Sequence, residues 1–185
     1  MTQARTKHHG IARVLIEPEA IQARVVELAA ELDERYADDP PLLVGVLTGA
    51  VSFMVDLMRA MENPVEIDFM AVSSYGASTR SSGVVQILKD LSLPIEGRHI
   101  VIVEDIVDSG LTLQYLLEVL QTRNPASLRV VALLKKDKAD AAAVQVDAVG
   151  FVIPDEFVVG YGLDYAGKYR NLPYVGVLDA SAIKV

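Results

Sequence analysis

Apolar positions recur at helical spacing in PEAIQARVVELAAELDERY (18–36), where Ile21, Val25, Leu28 and Leu32 fall on one stripe. Pro18 suits the first turn, because its missing N–H would lack a partner there anyway. ADDPP closes the segment. LLVGVLT (42–48) differs in kind: it is a continuous apolar run, as a strand buried on both faces requires. Gly49 breaks it, and Val51, Met54, Val55, Met58 and Met61 then predict a second helix with an apolar side. Its methionines read as adaptable core filler. VEIDFMAVS (65–73) alternates and predicts a strand, whereas SYGASTRSSG (74–83) has the small, polar composition of a loop. VVQILKDL predicts a short return strand, and RHIVIVED (98–105) a further apolar strand. Leu113, Leu116, Leu117 and Leu120 mark the next helix, NPAS turns the chain, and LRVVALL (128–134) is strand again. VGFVIP, FVVGYG and YVGVL supply short late strands.

Strands alternating with helices, several of them continuous apolar runs, predict the α/β class: a mostly parallel twisted sheet flanked by helices. The 185 residues hold no internal repeat and no linker, so one domain is expected over 1–185, with residues 1–10 as a tail. A 51% hydrophobic composition excludes a disordered chain. Every apolar stretch is broken by charge or glycine before it reaches a membrane span. MTQARTKHHGIAR is basic but has no apolar h-region, so no secretion signal is expected, and it reads as a solvated tail or a first strand edge. His8 and His9 are adjacent in that tail, where two side chains rarely converge on one ion.

The absence of cysteine excludes disulfides and thiolate catalysis and fits a cytoplasmic location. A net charge of −8 argues against a duplex nucleic acid or an anionic membrane as partner. A phosphorylated small molecule remains possible if backbone amides, magnesium and a few placed cations hold it.

The chemistry concentrates in VIVEDIVDSGLTL (101–113). In open α/β sheets ligands bind beyond the carboxyl ends of the strands. Glu104 and Asp105 close such a strand, and Asp108, Ser109, Gly110, Leu111 and Thr112 lead into a helix N-terminus, an anion site by geometry and dipole. Carboxylates beside an anion site are consistent if the ligand carries hydroxyls next to its phosphate, as a ribose phosphate does. Glu104 and Asp105 would then accept from a diol, or bind it through magnesium, a hard ion that takes oxygen ligands. Asp108 would be left for acid–base work. The bland alternative is an acidic surface cluster ending a strand, against which the S-G-x-T helix start weighs. A second strand-to-helix turn, LTGAVS (47–52), offers amides at Thr48 and Gly49 to another anion. No GxxxxGK and no GxGxxG is present, so neither a P-loop nor a dinucleotide fingerprint applies.

These residues resemble the phosphoribosyl-pyrophosphate motif of the type I phosphoribosyltransferases: an apolar strand, two acids, two apolar residues, then D-[ST]-G-x-T. SSYG (73–76), LLKK (133–136) and DEFVVGYGLDYAGKYRNLPYVGVL (155–178) are similar to the 6-oxopurine branch, the hypoxanthine-guanine phosphoribosyltransferases. The resemblance covers roughly residues 10–180 and implies that family's fold, with a small hood and a mobile lid loop over 74–83 that begins at Ser74 and Tyr75. It implies transfer of phosphoribosyl from phosphoribosyl pyrophosphate to hypoxanthine or guanine, in purine salvage, with Mg2+. Glu104 and Asp105 would hold the ribose hydroxyls with magnesium nearby, and 108–112 would cradle the 5′-phosphate. Asp108 would face the purine N7, Lys136 the 6-oxo group, Phe157 the ring face, and the Val158 backbone the ring edge. Asp164 would help bind a second magnesium; Arg170 and the Thr48–Gly49 turn would contact pyrophosphate. The metal set implied is Glu104, Asp105 and Asp164. A homodimer or homotetramer is expected, with no nucleic-acid or membrane partner.

Many relatives carry a lysine or arginine where this chain has Thr48, so one cationic contact to pyrophosphate is missing. Family members also have a non-proline cis peptide in that turn. Taken without the resemblance, Lys136 reads as a solvated strand end, Phe157 as core, Asp164 as a turn residue and Arg170 as a surface cation. Rival readings are a phosphoribosyl-pyrophosphate-binding regulator, a doubly wound signalling domain using magnesium for phosphoryl transfer, and a related transferase acting on xanthine or another base.

Overall fold

The computed structural model describes residues 10–74, 85–138 and 144–183. His8, His9, Tyr75 and all of the expected lid except Ser74 lie outside them, and Ser74 is described only as the last backbone position of its strand.

The main sheet has six strands in the order β4-β3-β2-β5-β6-β7. They are β2 (Leu42–Leu47), β3 (Glu66–Ser74), β4 (Val85–Lys89), β5 (His99–Val107), β6 (Ser127–Lys136) and β7 (Ala148–Ile153). Every pairing is parallel except that of β4, which returns antiparallel along β3. Helices α1 (Pro18–Arg35) and α2 (Val51–Ala60) cover one face, and α3 (Leu111–Gln121) covers the other. The molecule is thus α/β with a mostly parallel sheet between helices.

Strand alternation sorts the apolar runs onto these faces. Leu42, Val44 and Val46 pack with α3, as do Ile100 and Ile102, while Leu43, Val101 and Val103 pack with α1 and α2. This two-sided burial is why the central strands read as unbroken apolar runs. The α1 stripe of Ile21, Val25, Leu28 and Leu32 is buried, as are Leu113, Leu116 and Leu120 of α3. Each such fully buried side chain contributes about 1.5–3 kcal/mol. In α2 the expected stripe is rotated: Phe53, Met54 and Leu57 are buried, whereas Val51, Val55 and Met58 are half-buried.

The late strands do not all join the main sheet. β7 does, but β8 (Val158–Val159) and β9 (Val175–Leu178) form a separate antiparallel sheet with β1 (Ile11–Ile16), ordered β1-β9-β8. Ile11, Val159, Leu172, Tyr174 and Leu178 give it a small core of its own. This sheet is the expected hood. Residues 11–13, read above within a basic N-terminal stretch, are its first edge.

Candidate active site

The carboxyl ends of β5, β6 and β7 meet around Asp108. β5 runs on to Val107, two residues beyond the predicted end, and α3 starts at Leu111 with Gly110 as its N-cap. The intervening loop therefore lies on the positive end of a helix, and that helix has no acidic residue in its first turn. A cavity of about 110 Å³ opens here, lined among others by Glu104, Asp108, Ser109, Gly110 and Thr112. Leu111 is exposed beside it.

Glu104 and Asp105 do not act as a side-by-side pair. Consecutive strand residues point to opposite faces: Glu104 lines the α3-side cavity, while Asp105 faces the 48–50 turn, so close to Gly49 that a Cβ there would lie 1.6 Å from Asp105 Oδ2. Glu104 is buried, and burial together with the neighbouring Asp105 charge pushes its carboxyl well above the usual range. Burial also raises Asp105, partly offset by the Ile106 amide, which donates to Oδ1 at 2.8 Å, and by the Arg170 charge; Asp164 raises it further.

Asp108 is the opposite case. Burial pushes it up, but Lys138 and Lys136 outweigh that and hold it below the usual carboxylate range. Lys136 Nζ donates to Asp108 Oδ2 at 3.0 Å, and Lys138 Nζ lies 2.5 Å from Oδ1. Both lysines also reach Asp155 Oδ1, at 3.1 and 3.0 Å. Lys136 is buried, which a solvated strand end would not be. Sequence reasoning missed Lys138 and Asp155. Their only signal was alternating charge in KKDK and the acid of PDEF, too weak to pair across 17 positions.

Phe157 is 45% exposed, so it is not core; its ring meets Tyr165 edge-on at 5.7 Å. Val158 is buried in β8 opposite Val177. On the far side of Asp105, Arg170 Nη2 pairs with Asp164 Oδ1 at 2.6 Å, and its Nη1 donates to the Gly162 carbonyl at 2.6 Å. Asp164 Oδ2 accepts from the Gly167 amide. Thr48 is exposed, and the Leu47–Thr48 peptide is cis. The turn is braced from above: a Cβ on Gly162, whose φ is +101°, would lie 2.1 Å from the Gly49 carbonyl oxygen. Tyr161 Oη beside Gly162 donates to Asp56 Oδ2 of α2 at 2.6 Å, tying the same corner to the core.

Among the described residues, no three His, Cys, Asp or Glu side chains form a ready metal cluster. Glu104, Asp105 and Asp164 thus do not converge into a preformed cage.

An anion cradle at a strand-to-helix turn, acids on the strand before it and a braced second turn across the sheet edge together describe a phosphoribosyltransferase. The model for the phosphoribosyl transferase domain matches residues 15–166. The hypoxanthine-guanine phosphoribosyltransferase of Bacillus subtilis is 56% identical over 92% of this chain and 94% of its own. A crystal structure of a hypoxanthine phosphoribosyltransferase from Staphylococcus aureus superposes with a TM-score of 0.93 at 43% identity, covering 100% of both chains. That of Trypanosoma cruzi, in complex with the product IMP, gives 0.89 at 40% identity over 96% of this chain and 99% of that one. The chain belongs to the phosphoribosyl transferase family, in its hypoxanthine-guanine phosphoribosyltransferase branch.

Proposed function

We propose that this chain transfers the 5-phosphoribosyl group of phosphoribosyl pyrophosphate to hypoxanthine or guanine, releasing IMP or GMP and pyrophosphate. The observation that carries the reading is the contact of Lys136 with Asp108, which itself lines the cavity formed by residues 104–113. The cavity takes the 5′-phosphate on the loop 108–112 and the α3 N-terminus. Lys136 and Asp108 then stand where a purine's 6-oxo group and N7 need a donor and an acceptor. An ammonium donates to an oxo group but cannot accept from a 6-amino group, which selects 6-oxopurines over adenine. The exposed face of Phe157 is free for stacking on the ring, and the Val158 backbone lies at the ring edge.

Pyrophosphate leaves toward the braced turn at Thr48–Gly49 and Arg170. Fixed amides and a guanidinium stabilise developing charge there without reorganising. Asp108, held ionised by its lysines, accepts from N7 while the base attacks the anomeric carbon from the opposite face. Keeping competing water out is the role proposed for the lid sequence that begins with Ser74 and Tyr75.

The donor set fits magnesium. Glu104 and Asp105 are hard oxygen ligands that face opposite sides of β5 and so would not chelate one ion together; burial pushes both carboxyls up, and a dication beside either would relieve that cost. With no three-carboxylate cage among the described residues, the remaining ligands come from the substrate, as is usual for this ion. Bound there and near Asp164, it would neutralise pyrophosphate charge. The protein would work as a homodimer or homotetramer in cytoplasmic purine salvage; no helix among the described residues is long and apolar enough to cross a membrane.

The test is to mix protein, magnesium and phosphoribosyl pyrophosphate with hypoxanthine, guanine, xanthine or adenine in turn and to measure nucleotide and pyrophosphate. Product from the first two and little from adenine is expected. Adenine turned over as fast as hypoxanthine would overturn the role of Lys136.

A further inference from the structure

Four charged side chains close into a ring of alternating sign at the ends of three neighbouring strands. Asp108 follows β5, Lys136 ends β6, Lys138 lies two residues on, and Asp155 follows β7. The contacts are Asp108–Lys136 at 3.0 Å, Lys136–Asp155 at 3.1 Å, Asp155–Lys138 at 3.0 Å and Lys138–Asp108 at 2.5 Å. Nothing in the transfer chemistry requires Lys138 or Asp155. Yet without them Lys136 and Asp108 would satisfy each other alone, and each would be free to swing with its partner. Asp155 Oδ1 gives the Lys136 ammonium a second anchor besides Asp108, and Lys138 lies against the Asp108 oxygen that Lys136 leaves open.

We infer that Lys138 and Asp155 are positioning residues that hold Asp108 and Lys136 apart at the spacing of a purine's N7 and 6-oxo group. The inference rests on the proposed transfer reaction. Neither residue touches substrate. Their effect is to fix the directions of one acceptor and one donor before the base arrives, so that little ordering remains to be done on binding. Because both oxygens of Asp108 are engaged in the free protein, purine entry replaces one of those contacts rather than ordering a loose side chain.

The groups facing Asp108 are Lys136 and Lys138, and Asp155 faces both lysines. Removing Lys138 therefore takes one of two cations from Asp108, and the acidic limb of kcat/KM moves to higher pH. The test compares wild type with Lys138→Gln, Lys138→Arg, Asp155→Asn, the double variant Lys138→Gln/Asp155→Asn and, as a control for charge alone, Lys135→Gln. KM for hypoxanthine is expected to rise roughly two- to fivefold in Lys138→Gln and Asp155→Asn, the scale of a partly exposed ion pair, with kcat changed less. Lys138→Arg should recover the wild-type value, and Lys135→Gln should match it. The double variant should cost less than the product of the two singles, because they break one ring. Active wild type with Lys138→Gln unchanged in KM and pH profile would overturn the inference, as would strict multiplicativity of the two single effects. Wild type that makes no nucleotide from any base would instead defeat the proposed reaction itself.

Discussion

Three glycines separate backbone strain from steric contact, and alanine at each gives a graded test of how the pyrophosphate-side corner is held. Gly97 has φ +71° with nothing within 4 Å of a built Cβ, so alanine there costs conformation alone. That is about 1–2 kcal/mol, reduced by about 0.4–1 kcal/mol because alanine also restricts the unfolded chain. Gly162 has φ +101° and, in addition, a Cβ would meet the Gly49 carbonyl oxygen at 2.1 Å. Backbone cannot turn aside as a side chain can, so a further ~1–3 kcal/mol of overpacking follows. The sum, after the same reduction, is roughly 1–5 kcal/mol, and at about 2–4 °C per kcal/mol for a chain of this size the melting temperature should fall by roughly 2–18 °C. Gly49 lacks a positive φ; its Cβ would strike the Asp105 carboxylate, which can rotate away. Alanine there should leave the melting point within about 3 °C of wild type. It should nevertheless raise KM for phosphoribosyl pyrophosphate roughly tenfold or more, the scale of losing one charged hydrogen bond. Thermal melts and initial rates at varied phosphoribosyl pyrophosphate measure both effects. If Gly162→Ala melts no lower than Gly97→Ala, or if Gly49→Ala binds phosphoribosyl pyrophosphate normally, the packing of Gly162 on Gly49 on Asp105 does not hold the corner.

Lys136→Met should lower kcat/KM for hypoxanthine roughly ten- to a hundredfold, the value of a hydrogen bond from a charged donor, and narrow the gap to adenine; an unchanged hypoxanthine-to-adenine ratio would refute the assignment. Asp108→Asn should reduce kcat more than it raises either KM; a change in KM alone would remove Asp108 as proton acceptor. Glu104 has a folded-state pKa raised by burial. Its contribution to stability is thus present below the ordinary carboxylate range and is lost as pH rises through the raised value. Glu104→Gln should therefore melt progressively higher than wild type as pH rises above the ordinary carboxylate range in magnesium-free buffer, while losing activity; a melting-point difference that does not grow with pH would contradict the burial argument.

The central strands were legible because burial on both faces leaves a run with no polar interruption, and α1 and α3 because their apolar positions repeat with the helical turn. Local pattern carries no such information about partners. β1 pairs with β9 across most of the chain, so the stretch up to Arg13 could be read only as a tail or a first strand edge, with no sign of its partner. FVVGYG and YVGVL resembled VGFVIP in composition, yet only the last joins the main sheet. The acids at 104, 105 and 108 were visible as a cluster, but their division was not. Alternation sends Glu104 and Asp105 to different faces, and only the ends of β6 and β7 bring Lys136, Lys138 and Asp155 onto Asp108. Phe157 was ambiguous for a physical reason: an aromatic beside two valines reads as core until the fold leaves it partly exposed.

The two sheets divide the proposed ligand between them. In the proposed binding mode the strand ends of the larger sheet would take the sugar and phosphates and, through Lys136 and Asp108, the 6-oxo and N7 edge of the base, while Phe157 and Val158 at the smaller sheet would take its ring face and remaining edge. The smaller sheet has its own core and borrows its edge, β1, from the opposite end of the chain. Substitutions within it would therefore change how tightly the base ring is gripped, while Lys136 and Asp108 on the larger sheet keep the demand for a 6-oxopurine. Base affinity and base choice would thus be tunable separately, one from each sheet.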